Sequence, residues 1–199
     1  MAIAAFQKVL SANPESYDAN FNLALAFFHS NDARSAEAVL ERLLLQHDVA
    51  EVHNLLGWVY EKRQRFLVAV NALERAASLD SNNEDFRFDY CVMLIQHLAH
   101  DFGIELLIQA TKDFPKSGRL LLTLGAAQYA AGNYEQAFEP LLRATEVAPD
   151  LTQSYYYLGR LYKRVTGQFP KRIMEKLKSY LARGPKDPWA HYFYGVGLF

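Results

Sequence analysis

The chain has 199 residues, 51% of them hydrophobic and 22% charged, with a formal net charge of −1; that size and composition bury a substantial core and exclude a disordered tail. Its 21 Lys and Arg against 22 Asp and Glu give no overall basic field, which argues against nucleic acid or an anionic membrane as a partner of the whole chain. A single cysteine excludes an internal disulfide and any cysteine-rich metal centre.

The first ten residues, MAIAAFQKVL, have no basic leader, long apolar run or cleavage signal, so they do not read as a secretory signal. With Phe6, Val9 and Pro14, residues 1–14 read instead as one amphipathic helix. Residues 17–49 hold two apolar stretches at helical spacing: Phe21, Leu23, Ala24, Phe27 and Phe28, then Ala36, Val39, Leu40, Leu43 and Leu44. The turn formers Asn31 and Asp32 lie between them. Paired stretches recur over 50–83, 84–117, 118–151 and 152–187, the fourth pair with Gly132-Asn133 at its turn, and a single helix over 188–199 closes the series. No run of about 18 apolar residues occurs anywhere, so no membrane span is expected. The single cysteine fits a reducing compartment such as the cytoplasm, although an amino terminus lost from the sequence would have carried any signal.

Three series of residues fix the period. Bulky–small pairs stand at Leu23-Ala24, Leu56-Gly57, Tyr90-Cys91, Leu124-Gly125, Leu158-Gly159 and Tyr194-Gly195, in steps of 33, 34, 34, 34 and 36. Small residues recur at Ala2, Ala36, Ala69, Gly103 and Ala137, and turn residues at Pro14, Asp48, Ser81, Pro115, Pro149 and Pro185, with the same irregularities. Small residues let two helices cross closely, and a proline after the second stretch cannot continue a helix. The repeating unit is a helix hairpin.

This period and pattern resemble the tetratricopeptide repeat family. The fourth repeat carries the likeness best, through Leu124, Gly125, Gly132, Tyr134, Ala137, Leu141, Ala144 and Pro149. The resemblance implies one array over 1–199: a half repeat at 1–14, five full repeats and a half repeat at 188–199. The fold expected is an all-α right-handed superhelical solenoid of antiparallel helix hairpins. The terminal half repeats carry apolar residues where a polar cap is usual, which points to a piece of a longer protein or to self-association through the ends.

Catalytic signatures are absent from the sequence: there is no phosphate-binding glycine loop and no nucleophile elbow. Cys91 sits at a packing position, and His97, His100 and Asp101 at a bend lack a convergent further ligand, so neither a cofactor nor a metal is expected.

A surface remains. The family resemblance implies that first helices line a concave groove, and it assigns to that groove Phe28, Asn54, Trp58, Phe88, Tyr129, Tyr156, Arg160, Lys163, Arg164, Trp189 and Tyr192. Aromatic residues there would anchor a partner peptide or helix, with Trp58 the foremost single candidate. Charge is uneven: residues 1–151 carry 12 basic and 20 acidic side chains, and 152–199 carry 9 and 2. The Arg160, Lys163 and Arg164 trio therefore points to an acidic partner segment. The lysine-and-asparagine carboxylate clamp of chaperone-adaptor members is missing, its places being taken by Phe21, Leu25, Leu55, Asp85 and Asp89. The expected function is a non-catalytic protein-interaction scaffold. The alternatives are the repeat region of a larger enzyme and a head-to-tail assembling scaffold.

Overall fold

The computed structural model describes residues 2–97 and 100–199. The described residues form twelve α-helices and no strand, as the repeat pattern requires. In chain order these are α1 (Ala2–Ala12), α2 (Tyr17–His29), α3 (Ala33–Leu44), α4 (Ala50–Lys62), α5 (Phe66–Leu79) and α6 (Glu84–His97). They are followed by α7 (His100–Asp113), α8 (Gly118–Ala130), α9 (Tyr134–Val147), α10 (Thr152–Leu161), α11 (Phe169–Leu181) and α12 (Pro188–Gly197). The chain forms two compact units divided between α6 and α7, within the third sequence repeat.

Local sequence sets the helix ends. Ser16, Asp32, Ser117 and Asp187 each accept a backbone amide hydrogen bond at a helix N-terminus, satisfying donors that have no partner within the helix. Three hairpin turns share one device: Asn31, Gln64 and Gly132 take positive φ of 65°, 59° and 81°. The next amides, of Asp32, Arg65 and Asn133, donate to the carbonyls of Phe27, Tyr60 and Gln128, each at 2.9 Å. This left-handed residue with a six-to-one hydrogen bond closes a helix and reverses the chain. Gly132 adopts it without strain, whereas Gln64 does so against its own Cβ.

In the first unit α2/α3 and α4/α5 are antiparallel hairpins, with α1 against α2 and α6 against α5. Leu23, Leu40, Leu56, Leu73 and Met93 are among its buried side chains; each contributes about 1.5–3 kcal/mol on burial. The bulky–small pairs have a direct physical cause. A Cβ on Gly57 would stand 2.5 Å from Leu73 Cγ, and one on Gly125 would stand 2.4 Å from Leu141 Cγ. In these two hairpins the first helix has no side chain where the leucine of its partner enters.

Glu37 on α3 is 7% exposed, and its carboxylate is held by Arg65 Nη1 at 2.6 Å and by Arg63. The turn between α4 and α5 thus supplies two cations to a buried acid of the preceding hairpin.

In the second unit α8/α9 is a hairpin, α10 packs on α8, α9, α11 and α12, and α12 also lies on α11. The core joins Phe138, Leu141, Tyr155, Leu158, Leu161, Ile173 and Leu177. Tyr155 and Tyr180 stack with centroids 3.7 Å apart. Arg183 donates to the Tyr155 hydroxyl at 2.8 Å, and the Tyr180 hydroxyl donates to Asp187 at 3.2 Å. Gly159 differs from its counterparts: a Cβ there would meet Phe193 of α12 at 2.3 Å, not a leucine of its own hairpin.

Candidate functional site

In the first unit α2, α4 and α6 lie side by side, and the face they form carries the sequence candidates Phe28, Asn54, Trp58 and Phe88. All four are half-buried. Trp58 Nε1 donates to Asp89 Oδ2 at 3.0 Å, and Asn54 Nδ2 donates to the same oxygen at 2.8 Å. Both donors belong to α4 and the acceptor to α6, so one carboxylate ties the two helices together. Lys62 Nζ lies 4.1 Å from the Phe28 ring centroid and donates to the Phe28 carbonyl at 3.0 Å.

Further pairs complete this face. The Tyr17 hydroxyl donates to Glu51, and burial followed by that carboxylate holds the phenol well above its ordinary pKa. His97 stacks on Phe66 at 4.1 Å and approaches Glu61 at 3.4 Å. In the second unit His100, at the start of α7, lies 3.3 Å from the Ala127 carbonyl. Among the described residues, no group of three or more His, Cys, Asp or Glu converges as for a metal ion. Cys91 is buried, and desolvation pushes its thiol up to about 12, far from the range of a nucleophilic thiolate.

The second unit is different. Here α8, α10 and α12 form a face with an open pocket of about 450 Å³ lined by Tyr129, Tyr156, Gly159, Arg160, Lys163, Arg164, Trp189, Tyr192, Phe193 and Val196. The structure brings the sequence candidates Tyr129, Tyr156, Arg160, Lys163, Arg164 and Tyr192 together around this single cavity. Trp189 and Tyr192 are 55% and 58% exposed. Tyr156 meets Trp189 edge-on at 5.5 Å, and Trp189 lies 6.1 Å from Phe193.

Arg160 is held by aromatic groups. Its Nη1 donates to the Tyr156 hydroxyl at 3.2 Å, and its guanidinium lies 5.0 Å from the Tyr129 ring centroid. Arg164 lies over Tyr134 at 5.5 Å. None of Arg160, Lys163 and Arg164 has a carboxylate partner among the described residues. Two cations of α11 do: Arg172 reaches Glu139 at 3.6 Å and Lys176 reaches Glu146 at 3.3 Å.

Phe193 is the pocket residue that sequence reasoning missed. Its neighbour Tyr192 carries the groove phase, and the helical period alone assigns Phe193 to packing. Its place in the pocket follows from Gly159, whose missing side chain leaves room for the ring.

Comparison with known sequences and folds agrees with this architecture. Three sequence profiles, each described as tetratricopeptide repeat, match residues 2–59, 50–83 and 103–151. The chain belongs to the tetratricopeptide repeat family. Members of this family are generally non-catalytic protein–protein interaction modules, and an interaction scaffold is the general role of this chain. No curated protein matches it in sequence. Among solved structures it is similar to MamA, at 22% identity over 76% of this chain and 89% of that one, with a TM-score of 0.67. It is also similar to YrrB, described as a TPR protein with an unusual peptide-binding site, at 20% identity over 94% and 96% of the two chains and a TM-score of 0.67. The C-terminal part of a TPR repeat-containing protein from Cytophaga hutchinsonii superposes with a TM-score of 0.77, at 16% identity over 92% of this chain and 74% of that one. At these identities the likeness is one of fold. Among the described residues no helix is long and apolar enough to cross a membrane.

Proposed function

We propose that the face formed by α8, α10 and α12 is the docking site for a segment of a partner protein, seated in the pocket between Tyr129, Tyr156 and the aromatic wall of α12. The observation that carries this reading is an open cavity of about 450 Å³ in which the Trp189 and Tyr192 rings are exposed and the cations have no acidic partner among the described residues. Tyr and Trp rings give large contact areas with few rotatable bonds, so little side-chain freedom is lost when a partner covers them. A face built on packed helices is preorganised, and binding need not order it. The peptide-binding site described for YrrB supports the same use of this fold.

The test is selection of peptides from a random twelve-residue library on the purified protein, followed by fluorescence-polarisation titration of the recovered peptides. Binding is expected to fall at least tenfold on Trp189→Ala and to be unchanged on Lys62→Ala, with circular dichroism confirming that both variants are folded. Recovered peptides that bind Trp189→Ala as well as they bind the wild type would refute the assignment.

A further inference from the structure

Resting on that reading, we infer that the segment docked on this face presents an Asp or Glu carboxylate to Arg160 beside a large apolar side chain held by the α12 wall, and that the acid decides which segments bind. Three observations lead there. Arg160 is already positioned: the Tyr156 hydroxyl takes its Nη1 at 3.2 Å and the Tyr129 ring lies at 5.0 Å. The guanidinium is thereby anchored yet exposed, and a planar fork of this kind matches one planar carboxylate.

The second observation is the gathering of charge. Arg160 stands in the last turn of α10 and Lys163 and Arg164 in the turn that follows it, so three exposed cations line one cavity. An arriving carboxylate therefore meets a local positive field. The third is a contrast within the same unit. Arg172 and Lys176 have acids from α9 beside them, whereas the cations of the pocket have none among the described residues.

The apolar half of the ligand follows from the opposite wall. Trp189, Tyr192 and Phe193 offer ring faces and edges, with Val196 below them, and the two exposed rings present the most area. An acid and a bulky apolar residue close together in the ligand would fill both halves at once.

The experiment resynthesises each peptide recovered from the library with its Asp and Glu residues changed one at a time to Asn and Gln, and titrates every version against wild type and Arg160→Gln. One amidation is expected to weaken binding to the wild type by about 10- to 100-fold, the usual effect of losing a charge-assisted hydrogen bond. The same amidation should change binding to Arg160→Gln by less than about threefold, because the two losses are one interaction. Amidation effects of equal size on both proteins, or recovered peptides without enriched Asp or Glu, overturn the acid assignment; docking on the face then stands or falls separately with Trp189→Ala. A third arm replaces the critical acid with phosphoserine or phosphotyrosine. Binding more than about 100-fold tighter than the carboxylate peptide would make the ligand a phosphorylated segment and would also overturn the inference.

Discussion

The α2–α4–α6 face of the first unit and the α8–α10–α12 face of the second come from the same repeat, yet they treat their polar groups in opposite ways. On the first, Trp58 and Asn54 share Asp89, Lys62 caps Phe28, and Tyr17 holds Glu51. On the second, Arg160 and Arg164 lie over tyrosine rings, and with Lys163 they meet no acid among the described residues. A face whose hydrogen bonds close on themselves is bound to its own fold. A face with exposed rings and unneutralised charge has interactions left for another molecule. Both sets of residues stand at groove positions of the repeat, and they differ in what their polar atoms already touch.

Mutation can break this contrast, and the largest effect is expected where the first unit has committed its charge most deeply. The double variant Arg63→Ala/Arg65→Ala leaves the Glu37 carboxylate buried without a cation, and urea unfolding should show a loss of about 3–5 kcal/mol. A loss below about 1 kcal/mol would mean that water reaches Glu37. Next comes Trp58→Phe, which keeps an aromatic side chain, though a smaller one, and removes the donor to Asp89; the expected cost is about 1–2 kcal/mol, read from the same unfolding curves. In the second unit Arg160→Gln/Arg164→Gln should cost no more than about 1 kcal/mol, since both side chains are exposed and lose only cation–π and hydrogen-bond contacts to neutral tyrosines. A clear destabilisation there would mark these cations as structural and erase the contrast.

The smallest effect is on pH dependence. Hydrogen bonds from Arg75 and then His53 hold the Asp48 carboxyl below its ordinary value, and its bonds to Ser35 hold Asp32 below as well. A carboxyl with a lowered folded-state pKa contributes its stability above its ordinary pKa and loses it as the pH falls through the lowered one. Thermal unfolding of the wild type should therefore show a midpoint that declines as the pH drops below about 4, with a shallower decline in Asp48→Asn. Identical slopes in the two proteins would remove Asp48 from the explanation.

The hairpin repeat was legible in the sequence because helix crossings impose it. Gly57 and Gly125 recur at one place because Leu73 and Leu141 occupy the space where their Cβ atoms would lie. The gathering of Tyr129, Tyr156, Arg160 and Tyr192 was legible too, because residues one repeat apart on first helices become neighbours. The engagement of Trp58 was not. A tryptophan at a groove position reads as a free anchor until its Nε1 is seen against Asp89, a residue 31 positions away whose rotamer no periodicity encodes. Phe193 was hidden for a related reason, since only the close approach of α12 over Gly159 turns a packing residue into a pocket wall.

The chain has two tryptophans, and each face holds one. The most direct test titrates a library-selected peptide into Trp58→Phe and Trp189→Phe and follows the fluorescence of the tryptophan that each variant retains. The peptide is expected to shift and saturate the Trp189 emission in Trp58→Phe and to leave the Trp58 emission in Trp189→Phe unchanged. A saturating change at Trp58 with none at Trp189 would place the docking face in the first unit and contradict the account.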